Sequence, residues 1–294
     1  MYPSAIDDYL APTTLAEALA ALTANPDAIL IAGGQSLMQA IKARLMQPRI
    51  LVDLGGIEEL RGVSSGPSGL RIGGMTRYRA IHESTLLSGP YEALVDAASH
   101  VGDRQVRNRG TIGGSLCWNY IAACMPPTSI AVGAVLELTD RTGTVRTLPA
   151  EDFLKGPLET DLRPGEILSA VTLPPPPVRT GSAYRKWGLG TDALPIVGVG
   201  VLLTLDETGN CQQCRFAVGG LAAGPARATG AEDALSGRDA SDGAAIIAAA
   251  RLAADEVDPQ SDHLASAEYR KILISKIGEE VINLAFARAG KAVQ

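Results

Sequence analysis

Aromatic side chains are scarce in this 294-residue chain, which has 3 Phe, 7 Tyr and 2 Trp. That scarcity argues against base-stacking platforms for single-stranded nucleic acid and leaves aliphatic residues and alanine to build the core. An excess of positive charge is missing too. The 26 basic residues face 32 acidic ones, for a formal net charge of −6, the wrong sign for a phosphate-backbone partner, and no basic stripe offsets it. The 4 cysteines (Cys117, Cys124, Cys211 and Cys214) are too sparse for a disulfide scaffold, as befits a reducing compartment. No stretch approaches the about 20 apolar residues of a membrane span. The start, Met1-Tyr2-Pro3-Ser4-Ala5-Ile6-Asp7-Asp8, carries neither a basic nor an apolar leader region, so a cytoplasmic location is expected. The histidines His82, His100 and His263 are scattered, and without a G-x-S-x-G elbow they give a hydrolase triad no support.

What is present belongs to a folded protein. An apolar fraction of 46% and a charged fraction of 20% fit a globular chain, and the length predicts about two domains with room for a small third. Thr14-Leu15-Ala16-Glu17 is a capping box that opens an alanine-rich helix, stopped by Asn25-Pro26. A short strand over residues 28–32 follows, then Gly33-Gly34, then a helix over residues 37–45 that Ser36 can cap, and a strand over residues 50–53. From about residue 60 strands predominate, with apolar runs at residues 70–74 and 131–138, a strand at residues 144–146 and one helix near residues 91–100. Pro174-Pro175-Pro176-Pro177 can continue neither a helix nor an internal strand and reads as a linker between domains. Beyond it, residues 196–205 and 211–219 flank a turn and predict a hairpin. Three helical stretches come next, the last over residues 266–288 with Ile272, Leu273, Ile277, Val281, Leu284 and Ala285 on one face.

The most informative segment is Ala32-Gly33-Gly34-Gln35-Ser36-Leu37, where a strand ends in paired glycines and opens a helix. Such a junction points several backbone N–H groups at one spot, which suits a pyrophosphate; taken alone it fits an ordinary strand-to-helix turn equally well. Arg107-Asn108-Arg109-Gly110-Thr111-Ile112-Gly113-Gly114-Ser115-Leu116 repeats the pattern, with hydroxyls bracketing the glycines. A glycine-rich bulge would explain those glycines but not their repeated pairing with hydroxyls, and two such loops can clamp both phosphates of a dinucleotide. Gly188-Leu189-Gly190-Thr191-Asp192-Ala193 formally fits the G-x-G-x-x-A nicotinamide fingerprint, but Leu194-Pro195 and an apolar strand pattern follow where a helix is required. In Cys211-Gln212-Gln213-Cys214 a separation of three on a strand sends the thiols to opposite faces. With no second cysteine pair or neighbouring histidine, no metal site is expected there.

Taken together, Ala32 to Leu37, Arg107 to Leu116, Glu166-Ile167-Leu168, Val218-Gly219-Gly220-Leu221-Ala222 with Pro225-Ala226-Arg227-Ala228, and Ser266-Ala267-Glu268-Tyr269-Arg270 resemble the FAD-binding medium subunit of molybdenum hydroxylases, the carbon monoxide dehydrogenase and xanthine dehydrogenase family. The resemblance runs nearly end to end, with the motifs in family order. It implies an α+β chain: a two-lobed FAD-binding domain of the vanillyl-alcohol oxidase type, with lobes at residues 1–57 and 58–176, and a small C-terminal domain at residues 177–294 with a three-stranded antiparallel sheet and helices. It implies non-covalent FAD held by Leu30, Ile31, Ala32, Gly33, Gly34, Gln35, Ser36 and Leu37 and by Thr111, Ile112, Gly113, Gly114 and Ser115. Leu168 would pack on the adenine and Lys186 would approach the isoalloxazine. Val101 falls where some members place an aromatic against the flavin, and Cys124 takes the place of a family aspartate at the flavin's side. No residue of this chain would be catalytic in its own right. The implied role is an electron relay: a molybdenum-cofactor large subunit oxidises the substrate, [2Fe-2S] clusters of a small iron–sulfur subunit carry the electrons, and FAD passes them to an external acceptor. The expected assembly is a dimer of heterotrimers. The alternative is a self-standing flavoenzyme acting directly on a small molecule, kept open by the unusual stretch at residues 117–127.

Overall fold

The capping box forms as the sequence predicts: Thr14 Oγ1 accepts from the Glu17 N–H at 3.2 Å, and the Glu17 carboxylate accepts from the Thr14 N–H at 3.3 Å and the Thr13 N–H at 2.7 Å. In the computed structural model, which describes residues 6–291, the helix Leu15–Ala24 that this box opens covers a small parallel sheet. Residues 1–5, the start of the stretch read for a leader, lie outside the described residues. The sheet has the order Asp8–Leu10, Ile50–Asp53, Ile29–Ile31, and each of its parallel neighbours requires a crossover. The helices Leu15–Ala24 and Leu37–Lys42 supply that crossover between the two later strands and their neighbours, burying Ala18, Leu19 and Val52 on one side and Leu37, Ile41 and Leu51 on the other.

A five-stranded antiparallel sheet follows, in the order Val63–Gly66, Gly69–Gly73, Ile167–Leu173, Val135–Thr139, Val145–Pro149. The apolar run at residues 131–138 is divided: Ala131 ends the buried helix Met125–Ala131, Gly133 turns with φ +64°, and the strand begins at Val135. A short apolar run does not by itself distinguish strand from buried helix, and here Pro126 and Pro127, at the start of the helix where their missing N–H groups cost nothing, decide for helix. The four prolines do leave regular structure between Ile167–Leu173 and Thr180–Trp187, and the Tyr91 hydroxyl donates to the Pro174 carbonyl.

The C-terminal sheet runs Thr180–Trp187, Val197–Leu205, Cys211–Gly219, with the two-residue strand Ala226–Arg227 at its edge, all antiparallel. Helices Thr229–Leu235, Gly243–Glu256 and Ala267–Lys291 cover one face. On the last helix Leu273, Ile277, Val281 and Ala285 are buried as its spacing predicts, but Ile272 is 58% exposed because it falls one step off the buried arc. Against the other face lies Met125–Ala131, and glycines admit it: a Cβ on Gly219 would sit 2.7 Å from Pro127, and one on Gly200 3.1 Å from the Ala131 Cβ. The Cys211-Gln212-Gln213-Cys214 expectation is overturned. Thr204 pairs with Gln213 while Leu205 pairs with Cys211, so a β-bulge inserts an extra residue and both thiols enter the same core. They are free thiols, and among the described residues no group of three or more potential ligands could hold a metal ion.

Two arginines of the last helix make buried ties, Arg270 within the C-terminal unit and Arg288 from it to the preceding one. Arg270, 4% exposed, donates to the carbonyls of Ile196 and Gly220 and pairs with Asp262 at 2.6 Å, which explains the arginine ending the Ser266 motif. Arg288 on the same helix reaches Asp96 at 2.6 Å, while Asp96 also accepts the Tyr184 N–H at 3.1 Å and so ties the helix Glu92–His100 to the C-terminal sheet. Removing one partner of a mostly buried pair leaves the other charge uncompensated. Asp96→Ala is therefore expected to lower unfolding stability by about 3 kcal/mol, read as a shift in the denaturant midpoint. An exposed pair such as Arg79–Glu83, mutated in parallel, should change it by less than about 1 kcal/mol.

Candidate functional site

One cleft of about 810 Å³ runs along the seam of the three sheets, within the range of about 300–1,000 Å³ typical of small-molecule sites. Its first wall is the junction after strand Ile29–Ile31. Gly34 takes φ +71°, a conformation that glycine adopts without a Cβ penalty, and the chain enters the helix Leu37–Lys42. Ser36 is already in helical geometry and its side chain makes no cap bond, unlike the expected N-cap, so its hydroxyl stays available to the cleft. At its start the Met38 N–H donates to the Gly34 carbonyl at 3.2 Å and the Gln39 N–H to the Ser36 carbonyl at 3.0 Å, which leaves the Leu37 N–H without an intrahelical acceptor.

The second wall is built differently from the loop that the sequence suggests. Gly113 and Gly114 lie in the first turn of the helix Ile112–Trp118, which Thr111 caps by accepting the Gly114 N–H at 3.1 Å. The glycines serve close backbone packing: a Cβ on Gly113 would lie 2.6 Å from the Gly74 carbonyl, and one on Gly114 2.8 Å from Thr111 Oγ1. The two walls touch each other. A Cβ on Gly33 would fall 2.2 Å from the Arg109 carbonyl oxygen and 2.8 Å from Gly110 Cα, so only glycine lets these segments meet.

Of the residues expected at a cofactor, Leu30, Ala32, Gly33, Gly34, Gln35, Ser36 and Leu37 line the cleft, as do Val101, Thr111, Gly113, Gly114, Ser115, Cys124, Leu168 and Lys186. Ile31 and Ile112 do not. Ile31 packs toward Leu37, Ile41 and Leu51, and Ile112, fully buried, joins the central core. Each is the strand or helix neighbour of a lining residue and alternation turns it inward.

At one end of the cleft Cys124, 4% exposed, stands just before the helix Met125–Ala131. Burial pushes its thiol up, against a smaller pull downward from the Tyr184 hydroxyl and the Lys186 ammonium. Tyr184 is itself fully buried, its hydroxyl has no hydrogen-bond partner of good geometry, and burial raises its phenol well above the ordinary value. Lys186 Nζ donates to the Ala193 carbonyl at 2.5 Å, which fastens the loop after strand Thr180–Trp187 so that Asp192 and Pro195 also face the cleft. A strand, Val197–Leu205, follows that loop, as expected in place of a nicotinamide-type helix. Cys117 lines the same cleft, and burial pushes its thiol up to about 12.

The opposite end is formed by Leu168 with Arg141, Arg163 and Gly165. Here Glu166, 5% exposed, closes the turn: it accepts the Arg163 N–H at 2.8 Å and a fork from Arg146 at 2.6 and 2.9 Å. Burial raises its carboxyl, but the Arg146 and Arg163 hydrogen bonds outweigh it and hold Glu166 below the usual range. Met75, Tyr78, Tyr120, Arg141 and Arg163 were not legible as lining residues, since each comes from a turn or an element end with no motif of its own. His100 bonds the Asp96 carbonyl at 2.7 Å and packs edge-on to Tyr184, away from the cleft.

Comparison with known proteins gives the same picture from a different direction. The chain matches the FAD binding domain in molybdopterin dehydrogenase over residues 4–176 and the CO dehydrogenase flavoprotein C-terminal domain over residues 182–283. It is 32% identical to the glyceraldehyde dehydrogenase medium chain of Sulfolobus acidocaldarius over 96% of this chain and 100% of that one. With the carbon monoxide dehydrogenase medium chain of Hydrogenophaga pseudoflava it shares 34% identity, over 96% of this chain and 97% of that one. The fold superposes on the solved carbon monoxide dehydrogenase of Hydrogenophaga pseudoflava with a TM-score of 0.91 and 34% identity, covering 98% of this chain and 99% of that one. For quinoline 2-oxidoreductase of Pseudomonas putida 86 the TM-score is 0.90 at 32% identity, covering 98% and 99%.

The thiols in the cleft carry a chemical prediction. Alkylation requires the thiolate, and a thiol at about 12 is only about one part in ten thousand ionised at pH 8. Cys117 and Cys124 are expected to resist iodoacetamide in the native protein at pH 8 and to react at once after unfolding, as read by mass spectrometry of the peptides. Rapid native labelling of either would contradict the burial described here.

Proposed function

This chain belongs to the family of FAD-binding medium subunits of molybdenum hydroxylases, and from that membership we propose that it is the flavin station of such a complex, relaying electrons from the [2Fe-2S] clusters of a partner subunit through FAD to an external acceptor. The observation that carries the reading is the meeting of two glycine elements at Gly33 and Arg109 along a single cleft of about 810 Å³. Its walls present the Leu37 N–H at a helix start, the Ser36 hydroxyl and the Ser115 hydroxyl, a donor set that fits a diphosphate. The cleft's volume and the chemistry of its lining residues fit FAD.

FAD, when bound, supplies a ring that takes up and releases electrons, which no side chain of this protein does. The chain's own residues bind, orient and tune. Leu30, residues 32–37, Thr111 and residues 113–115 hold the diphosphate and ribityl portion, Leu168 packs on the adenine, and Val101, Cys124 and Lys186 stand toward the flavin ring. We assign the lobes to residues 1–57 and 58–176 and the C-terminal domain to residues 177–294. The partners are an iron–sulfur small subunit and a molybdenum-cofactor large subunit, assembled as a dimer of heterotrimers in the cytoplasm.

FAD is expected to be non-covalent, so acid precipitation should release it and leave a colourless pellet. Gly33→Val drives a side chain into the Arg109 carbonyl, and Gly114→Val breaks the Thr111 cap. Each should lose FAD occupancy while Ile272→Val, on the exposed face of the last helix, keeps it. Full occupancy in either glycine variant would remove that wall from the site. The isolated chain should also leave its flavin oxidised when offered candidate substrates without its partners, and bleaching by a small molecule would favour the self-standing enzyme.

Reduction places negative charge on the ring, which a nearby ammonium favours and a nearby carboxylate opposes. Cys124→Asp and Lys186→Met are each expected to lower the flavin reduction potential by tens of millivolts, about 30 mV being 1.4 kcal/mol for a two-electron couple. Spectroelectrochemical titration reads this directly; an unchanged or raised potential in both variants would place neither residue near the ring.

A further inference from the structure

We propose that a second, smaller cavity behind the first glycine element binds a small oxyanion of phosphate size. The cavity measures about 150 Å³ and shares Gly33 and Thr111 with the cofactor cleft as a common wall. Around it stand Arg61, Arg77 and Arg109 with Asp53, and none of the three arginines lines the cofactor cleft. They come from distant parts of the sequence. Arg61 follows the turn Glu58–Leu60, Arg77 precedes the helix Tyr78–His82 and bridges to Thr111 through its backbone, and Arg109 ends the helix Arg104–Arg109.

The charges of this cavity are unevenly satisfied. Asp53 has both oxygens committed, one accepting the Gly55 N–H at 2.7 Å and the other the Tyr9 hydroxyl. Arg61 donates to the Gly55 carbonyl and to Glu58, but its Nε is buried with no acceptor. Arg77 and Arg109 make no side-chain hydrogen bond or ion pair among the described residues, in a chain where acidic residues outnumber basic ones 32 to 26. Three arginines thus line one polar cavity with donors to spare, a set that tetrahedral oxyanions and carboxylates engage through paired N–H contacts. With water occupying about 30 Å³ per molecule in the liquid, the cavity has room for a phosphate or sulfate and not for a nucleotide.

An anion held there would join Arg109, whose carbonyl rests against Gly33, to Arg77 and Arg61, and so brace from outside the contact on which the cofactor cleft depends. Phosphate oxygens could come from free anion or from the diphosphate of the bound cofactor, and the proposal is for free anion. The test is calorimetric titration of inorganic phosphate into the flavin-loaded protein, with ionic strength held constant by chloride. Saturable binding at one site is expected, weakened at least tenfold in the Arg77→Ala/Arg109→Ala double variant. The Arg77→Ala single variant, at an exposed side chain outside the cofactor cleft, should match the parent in flavin absorbance. Absence of saturable binding would overturn the proposal, as would undiminished binding in the double variant. Binding confined to flavin-free protein and displaced by FAD would also overturn it, by assigning the arginines to the cofactor diphosphate. The titration does not depend on the flavin assignment, since a colourless protein that still binds phosphate through these arginines would fail only that reading.

Discussion

The approach of Gly33 to the Arg109 carbonyl is the constraint on which the cleft rests. At 2.2 Å from a hypothetical Cβ to that oxygen, no residue but glycine permits it. Because the two segments meet backbone to backbone, the start of the helix Leu37–Lys42 and the Ser36 and Ser115 hydroxyls face one space, while the first-turn N–H groups of the helix Ile112–Trp118 are taken up by Thr76, Gly74 and Thr111. The same economy recurs behind them, where Gly74, Gly110 and Gly113 pack against Leu168, Tyr78 and Gly74 at distances that a Cβ would bring to between 2.2 and 2.6 Å. A glycine-rich motif that looks like ligand chemistry in the sequence is thus first a packing solution, and the ligand surface follows from it.

The far end of the cleft depends on a different kind of contact. Lys186 and the loop it fastens belong to the C-terminal sheet, whereas Cys124 belongs to the segment leading into Met125–Ala131. Their apposition is set by Gly200 and Gly219, which let that helix lie against the sheet, and by Asp96, which binds Arg288 and the Tyr184 N–H together. The Ile121 carbonyl also accepts the Gly220 N–H at 3.0 Å. The unusual stretch at residues 117–127 is therefore anchored on both sides, and Cys124 is held where it faces the cleft.

Local grammar was legible in the sequence wherever it has a local cause. The Thr14 capping box, the Gly34 turn and the hairpin around residues 206–210 follow from side chains within a few positions of one another. Other readings failed where an adjacent cap or the pairing of a neighbouring strand decides the geometry. Ser36 does not cap because the chain is already helical there, Gly113-Gly114 sit in a helix because Thr111 starts it, and a bulge turns Cys211 and Cys214 to the same side. The bulge is invisible in composition because it is fixed by the register of a partner strand. Likewise Arg141, Arg163 and Tyr120 reach the cleft only through the packing of sheets far apart in sequence. Most of the residues that the resemblance to a family named do line the cleft, because motif order carries three-dimensional information that periodicity lacks.

The distribution of protons in the cleft narrows what this chain can do there. Glu166 is kept ionised by the Arg146 fork and spent on closing a turn, so it is no proton donor. Cys117 and Cys124 are held as thiols by burial, so neither is a nucleophile at neutral pH. Tyr78 and Tyr184 are raised by burial as well and keep their protons. General acid–base catalysis needs a group poised near the working pH and free to reach a substrate, and none of these five side chains meets that condition. What they provide is a fixed electrostatic setting: N–H donors toward one portion of the cleft and neutral thiols with a single ammonium toward another. Such a setting favours holding a cofactor and adjusting its affinity for electrons.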